Sequence, residues 1–211
     1  MSGASNNSAN GRSSGQTWIS AQKFGLFCAF LLVSGMVQSA CAQSPPDEYQ
    51  VKAAFLFHFA QLVEWPAGRP NAGDQVIDLC ILADEPRLQE LQGTLEGKLV
   101  GSRVLHVHPI STPNVVQGCN IIFLSRDDGP RQAAILKSLQ GQAVLTVGET
   151  SNFLSDGGMI QLHLEKDKVR FDINAGVADS SHIKISSQLL LLATSVTLGD
   201  GSERGRSAYA R

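Results

Sequence analysis

Residues 144–174, VLTVGETSNFLSDGGMIQLHLEKDKVRFDIN, hold the side chains best suited to chemistry. Glu149 follows an apolar strand-like run, at the carboxyl end where open α/β sheets place ligands. Arg170, Asp172 and Asn174 alternate with Val169, Phe171 and Ile173, so they share one face of a strand. A forked donor, an acceptor and an amide side by side suit a small polar ligand or a partner's backbone. The alternative is a solvated strand face. Lys184 and Ser186 stand at the entrance of a later apolar segment, with Ser186 or Ser187 as helix N-cap. These six residues form the candidate binding set.

Other constellations carry less. His106-x-His108 puts two imidazoles on one strand face, but no third ligand stands nearby, so no metal is assigned. Gly148 either turns a backbone N–H toward a ligand or merely makes a tight turn. His58, inside an apolar run, reads as structural. No nucleophile is paired with a base in a familiar order, and no dinucleotide or phosphate-binding glycine motif follows a strand. The expectation is a binding protein without catalysis or cofactor.

The elements that must position these residues follow from periodicity. Residues 47–64 repeat apolar groups at helical spacing behind Asp47, and Trp65-Pro66 stops them. Strands at 76–83, 104–110, 120–125 and 143–147 alternate with helical patterns at 86–95 and 130–139. Residues 159–164 and 169–173 form a hairpin around Glu165 to Lys168, and 185–198 reads as one buried apolar helix. The fold class is α/β, a three-layer α/β/α sandwich whose mostly parallel sheet carries an antiparallel edge hairpin.

Residues 1–42 read as a cleavable signal peptide. Lys23 precedes a fourteen-residue apolar run from Phe24 to Val37, too short to span a bilayer, and Ala40-Cys41-Ala42 offers small residues for cleavage. A lipid anchor at Cys41 is the weaker alternative, because Gln38 occupies a position that favours an aliphatic residue. The expected product is exported and soluble, one domain over 43–198, with an unstructured Gly-, Ser- and Arg-rich tail at 199–211. Without residues 1–42 the chain has 15 basic against 19 acidic side chains, a charge of −4 that argues against nucleic acid. Cys80 and Cys119 are then its remaining pair, read in an exported chain as a disulfide; the alternative is two buried thiols that never meet.

Several blocks resemble the YfiR-like family. They are residues 53–57 (AAFLF), 64–66 (EWP), Cys80 before an Ala-Asp turn, 119–123 (CNIIF), 144–149 (VLTVGE), 157–160 (GGMI), 169–174 (VRFDIN) and 185–190 (ISSQLL). They run in order through nearly the whole chain beyond residue 42. The resemblance implies a periplasmic protein of a Gram-negative bacterium, with a three-layer α/β fold and no catalysis. It implies a regulator of cyclic-di-GMP signalling that restrains an inner-membrane diguanylate cyclase by binding its periplasmic part, and that an outer-membrane lipoprotein relieves. Cys80 and Cys119 correspond to a structural disulfide of the family. This chain lacks the cysteines of a second disulfide found in some relatives, and Gln188 stands where a Lys is frequent. Another sensor in place of the cyclase, a homodimer, and a small-ligand binding role remain open.

Overall fold

The computed structural model describes residues 47–67, 75–110, 118–126, 129–198 and 203–205. The chain divides into residues 1–44 and a second unit, Pro45–Arg211. The proposed signal peptide lies outside the described residues.

Helix α1 (Glu48–Leu62) starts where the sequence says it should, because the Asp47 carboxylate accepts the Tyr49 N–H at 3.0 Å. It runs into β1 (Val63–Glu64). Then come β2 (Val76–Leu82), α2 (Glu85–Leu95), β3 (Leu99–Val100), β4 (Arg103–Pro109), β5 (Ile121–Leu124), α3 (Gly129–Ser138) and β6 (Leu145–Gly148). The hairpin β7 (Ile160–Glu165) and β8 (Lys168–Asn174) follows, then α4 (Ala175–Ser180), β9 (Lys184–Ile185), α5 (Ser187–Leu192), β10 (Ser195–Thr197) and β11 (Glu203–Gly205).

Nine strands form one sheet in the order β11-β10-β8-β7-β6-β5-β2-β4-β3. The run from β7 through β6, β5 and β2 to β4 is parallel. β7 and β8 pair antiparallel, as expected, and β10 lies beyond them, parallel to β8. Within the tail expected to lack structure, Glu203–Gly205 pairs antiparallel with β10.

Central strands are apolar on both faces because helices cover both. Ile77, Leu79, Ile81, Ile121, Phe123, Leu145 and Val147 pack in one cluster with Leu56 and Phe59 of α1 and Leu91 of α2. Their alternates Cys80, Leu82, Ile122 and Leu124 pack with Ile135 and Leu136 of α3. The Cys80–Cys119 disulfide lies in this second layer, joining β2 to the start of its neighbour β5 across a Cα separation of 5.9 Å.

The segment 185–198 is not one buried helix. α5 spans six residues, Leu191 and Leu192 are 53% and 58% exposed, and residues 195–197 leave it to pair with β8. The sheet decides this: β8 had an unpaired edge, and Ser195-Val196-Thr197 carries strand-favouring side chains to it.

The edge beyond β4 is closed to an added strand. The Leu105 N–H goes to the Lys98 carbonyl at 2.8 Å, the Val107 N–H goes to the Glu96 carboxylate at 2.7 Å, and Pro109 has no N–H.

Candidate functional site

The candidate residues do not converge on one place. Arg170, Asp172 and Asn174 share a face of β8, as period-two spacing requires, and the opposite face packs under α1. The rings of Phe55 and Phe59 meet Phe171 edge-on there, at 5.4 and 5.2 Å. Asp172 is engaged: Ser195 Oγ donates to Oδ1 at 2.8 Å, and His163 Nδ1 stands 3.2 Å from Oδ2, off the direction of a good hydrogen bond. Among the described residues, Arg170 reaches only a loose contact of 4.0 Å with Glu165. The half-buried surface is therefore Gln161 and His163 of β7, Arg170 and Asp172 of β8, and Ser195 of β10. His163 and Ser195 joined it through strand pairing, which spacing along the chain does not show.

Two candidates serve helix ends. Asn174 accepts the Val177 N–H at 3.1 Å and caps α4; Ser186 accepts the Leu189 N–H at 3.2 Å and caps α5.

Glu149 leaves the surface altogether. It is 5% exposed, and Oε1 lies 2.8 Å from the Lys52 ammonium, itself 2% exposed. Lys52 also pairs with Glu48 one turn earlier, and its ammonium sits 4.2 Å from the centroid of the Tyr49 ring. The Tyr49 hydroxyl donates to Glu149 Oε2 at 3.3 Å. Burial first, and then the Glu149 charge, push the Tyr49 phenol well above its ordinary range, so it stays protonated. This network pins the start of α1 across the carboxyl end of β6. The place where a ligand was expected holds the protein's own lysine.

Gly148 is not a ligand cradle either. A Cβ there would stand 2.2 Å from the Phe153 ring, and a Cβ on Gly158 would meet the same ring at 2.2 Å. Phe153 is wholly buried, clamped between two glycines. Gly148→Ala should therefore lower stability by about 1–3 kcal/mol, the range for overpacking. Denaturation by urea checks this, and a loss under 0.5 kcal/mol would show that the ring can slide away.

Lys184 lies elsewhere, opposite Glu64 where β9 pairs with β1. With Trp65, Pro66, Ala67, Asp179, His182 and Ile183 these two line a cleft of about 490 Å³. The Trp65 N–H donates to the Asn120 carbonyl just before β5, so this cleft is at the amino ends of the strands.

His106 and His108 share a face of β4 with rings 6.2 Å apart, but each turns to a different carboxylate: Glu96 at 3.7 Å and Asp78 at 2.8 Å. Among the described residues, no group of three or more His, Cys, Asp or Glu could hold a metal ion. None of the described helices is long and apolar enough to cross a membrane.

Residues 49–194 match a family model described as YfiR/HmsC-like. Among solved structures, the chain is similar to a conserved domain protein from Vibrio cholerae O1 biovar El Tor, at 10% identity and a TM-score of 0.49. The match covers 71% of this chain and spans 60% of that protein's length.

Proposed function

The chain belongs to the YfiR/HmsC-like family, and from that premise we propose that it is a periplasmic regulatory binding protein. It restrains an inner-membrane sensor, a diguanylate cyclase, by contact with the sensor's periplasmic part, and carries out no reaction of its own. Binding shifts the sensor toward its inactive population, and an outer-membrane lipoprotein reverses this by competing for the regulator.

The observation that carries this reading is the polar face of β8. The Arg170 side chain is 39% exposed and, among the described residues, has one loose carboxylate contact, so its donors remain available to a partner's carboxylate or backbone. Asp172, oriented by Ser195, sits one pleat away as an acceptor.

Arg170→Glu should abolish binding to the purified periplasmic part of the cyclase, a loss of at least 100-fold, while the melting temperature moves by no more than about 2 °C. Arg170 lies outside the apolar core and holds only a loose ion-pair contact, and substitutions away from such packing cost little stability. Calorimetric titration and a thermal melt decide it. Wild-type affinity in the variant would remove this face from the interface.

A further inference from the structure

The cleft at the amino ends of the strands has the size of a small-molecule site; such sites run from about 300 to 1,000 Å³. Its walls bring acidic and basic side chains together. At several other places acids and bases close on each other: Lys52 on Glu149, Arg87 on Asp84, His108 on Asp78 and His163 near Asp172. Around the cleft they do not. Glu64 and Lys184 are directly opposite across the β1–β9 ribbon, yet among the described residues neither they nor Asp179 nor His182 has an ion-pair or hydrogen-bonded side-chain partner.

Two of these residues also stand where local preference disfavours them. His182 has a φ of 58°, the left-handed position that ends α4, where glycine is the usual residue. Its N–H bonds the Asp179 carbonyl at 3.0 Å and the next N–H, of Ile183, bonds the Ala178 carbonyl at 2.9 Å. Asp179 puts a carboxylate in the last turn of the same helix, beside its negative end. Departures from local preference gather where a side chain is used. Both line this cleft. Trp65, held by its bond to the Asn120 carbonyl with the Arg103 guanidinium 5.4 Å over the ring, supplies a fixed flat wall.

We propose that this cleft binds a small zwitterion, one ammonium and one carboxylate on a short carbon chain. Glu64 and Asp179 receive the ammonium, Lys184 and His182 receive the carboxylate, and the chain lies against Trp65, Pro66 and Ile183. Carrying both charges is what selects the ligand. A lone amine leaves Lys184 and His182 unmatched, and a lone acid meets two carboxylates.

Trp18 and Trp65 are the chain's two tryptophans, so a full-length Trp18→Phe protein reports on the cleft through Trp65 fluorescence. Glycine, β-alanine and γ-aminobutyrate are titrated beside their single-charge halves: methylamine and acetate, ethylamine and propionate, n-propylamine and butyrate. At least one zwitterion should change the emission saturably, with an affinity tenfold or more above both of its halves. Glu64→Gln and Lys184→Met should each cut that affinity at least tenfold, leaving the melting temperature alone, since both side chains are exposed. His182→Gly should raise the melting temperature and still weaken binding. No zwitterion exceeding its halves, or affinity indifferent to all three substitutions, would overturn the site. The proposal does not rest on sensor binding: Arg170→Glu can fail its own test while this one succeeds, and the reverse.

Discussion

Glu149→Ala destabilises the fold by about 3–5 kcal/mol, the loss found when one partner of a buried ion pair is removed. The size follows from what remains. Lys52 is 2% exposed, and without Glu149 its ammonium keeps Glu48, which is 35% exposed, and the face of the Tyr49 ring. The Tyr49 hydroxyl also loses its acceptor in a half-buried site. A buried charge left with one partly exposed partner is costly because the interior cannot solvate it. The test is a urea curve with an unchanged slope and a lower midpoint. Replacing both partners by apolar residues, Lys52→Met with Glu149→Leu, should recover most of the loss, because the attraction of the pair barely exceeds the cost of burying it. A single-variant loss under 1 kcal/mol, or no recovery in the double variant, would mean that water reaches the pair.

That pair also marks a limit of what a sequence discloses. Glu48 and Lys52, four apart on one helix, are readable as an ion pair. Glu149 lies a hundred residues from Tyr49, and only the sheet order sets it over the start of α1. Its position after an apolar strand, the signal used to expect a ligand there, is equally the signal of a carboxylate waiting for a buried lysine. Phe153 makes the same point for Gly148, since nothing in spacing announces a ring that needs two glycines ten positions apart.

Local chemistry was more legible. Asp47 and Ser186 lie beside helix starts, and each caps one; Asn174, read only as part of a strand face, caps a helix that no sequence pattern announced. Period two put Arg170, Asp172 and Asn174 on one face, and both-faced apolar runs gave the covered parallel strands. The end of the domain misled because a run of leucines satisfies a buried helix and a short exposed one alike. The free edge of β8 settled that choice by pairing with residues 195–197. The exposed leucines of α5 and the unpartnered charges of the cleft came from such tertiary choices.

Reduction of Cys80–Cys119 should lower the free energy of unfolding by about 4 kcal/mol, the loop-entropy value for a closure of this length. The cysteines are 39 positions apart, and the loop they close contains α2, β3 and β4. In the folded state the bridge adds little that is not already present. β2 and β5 pair through Leu79 to Leu82 with Ile121 to Leu124, and both cysteines are packed among apolar side chains. Its action is therefore mainly on the unfolded chain, which it keeps compact. That origin makes a distinctive prediction for a urea curve with and without strong reductant. The midpoint falls, and the slope rises, because the unlinked chain exposes more surface. A Cys80→Ala, Cys119→Ala protein should match the reduced wild type, apart from the smaller cost of two lost sulfurs in the core, and should ignore reductant. A midpoint unmoved by reductant would show that the bridge does not stabilise this fold. A lower midpoint at constant slope would place its effect in the folded sheet, contrary to the packing seen around it.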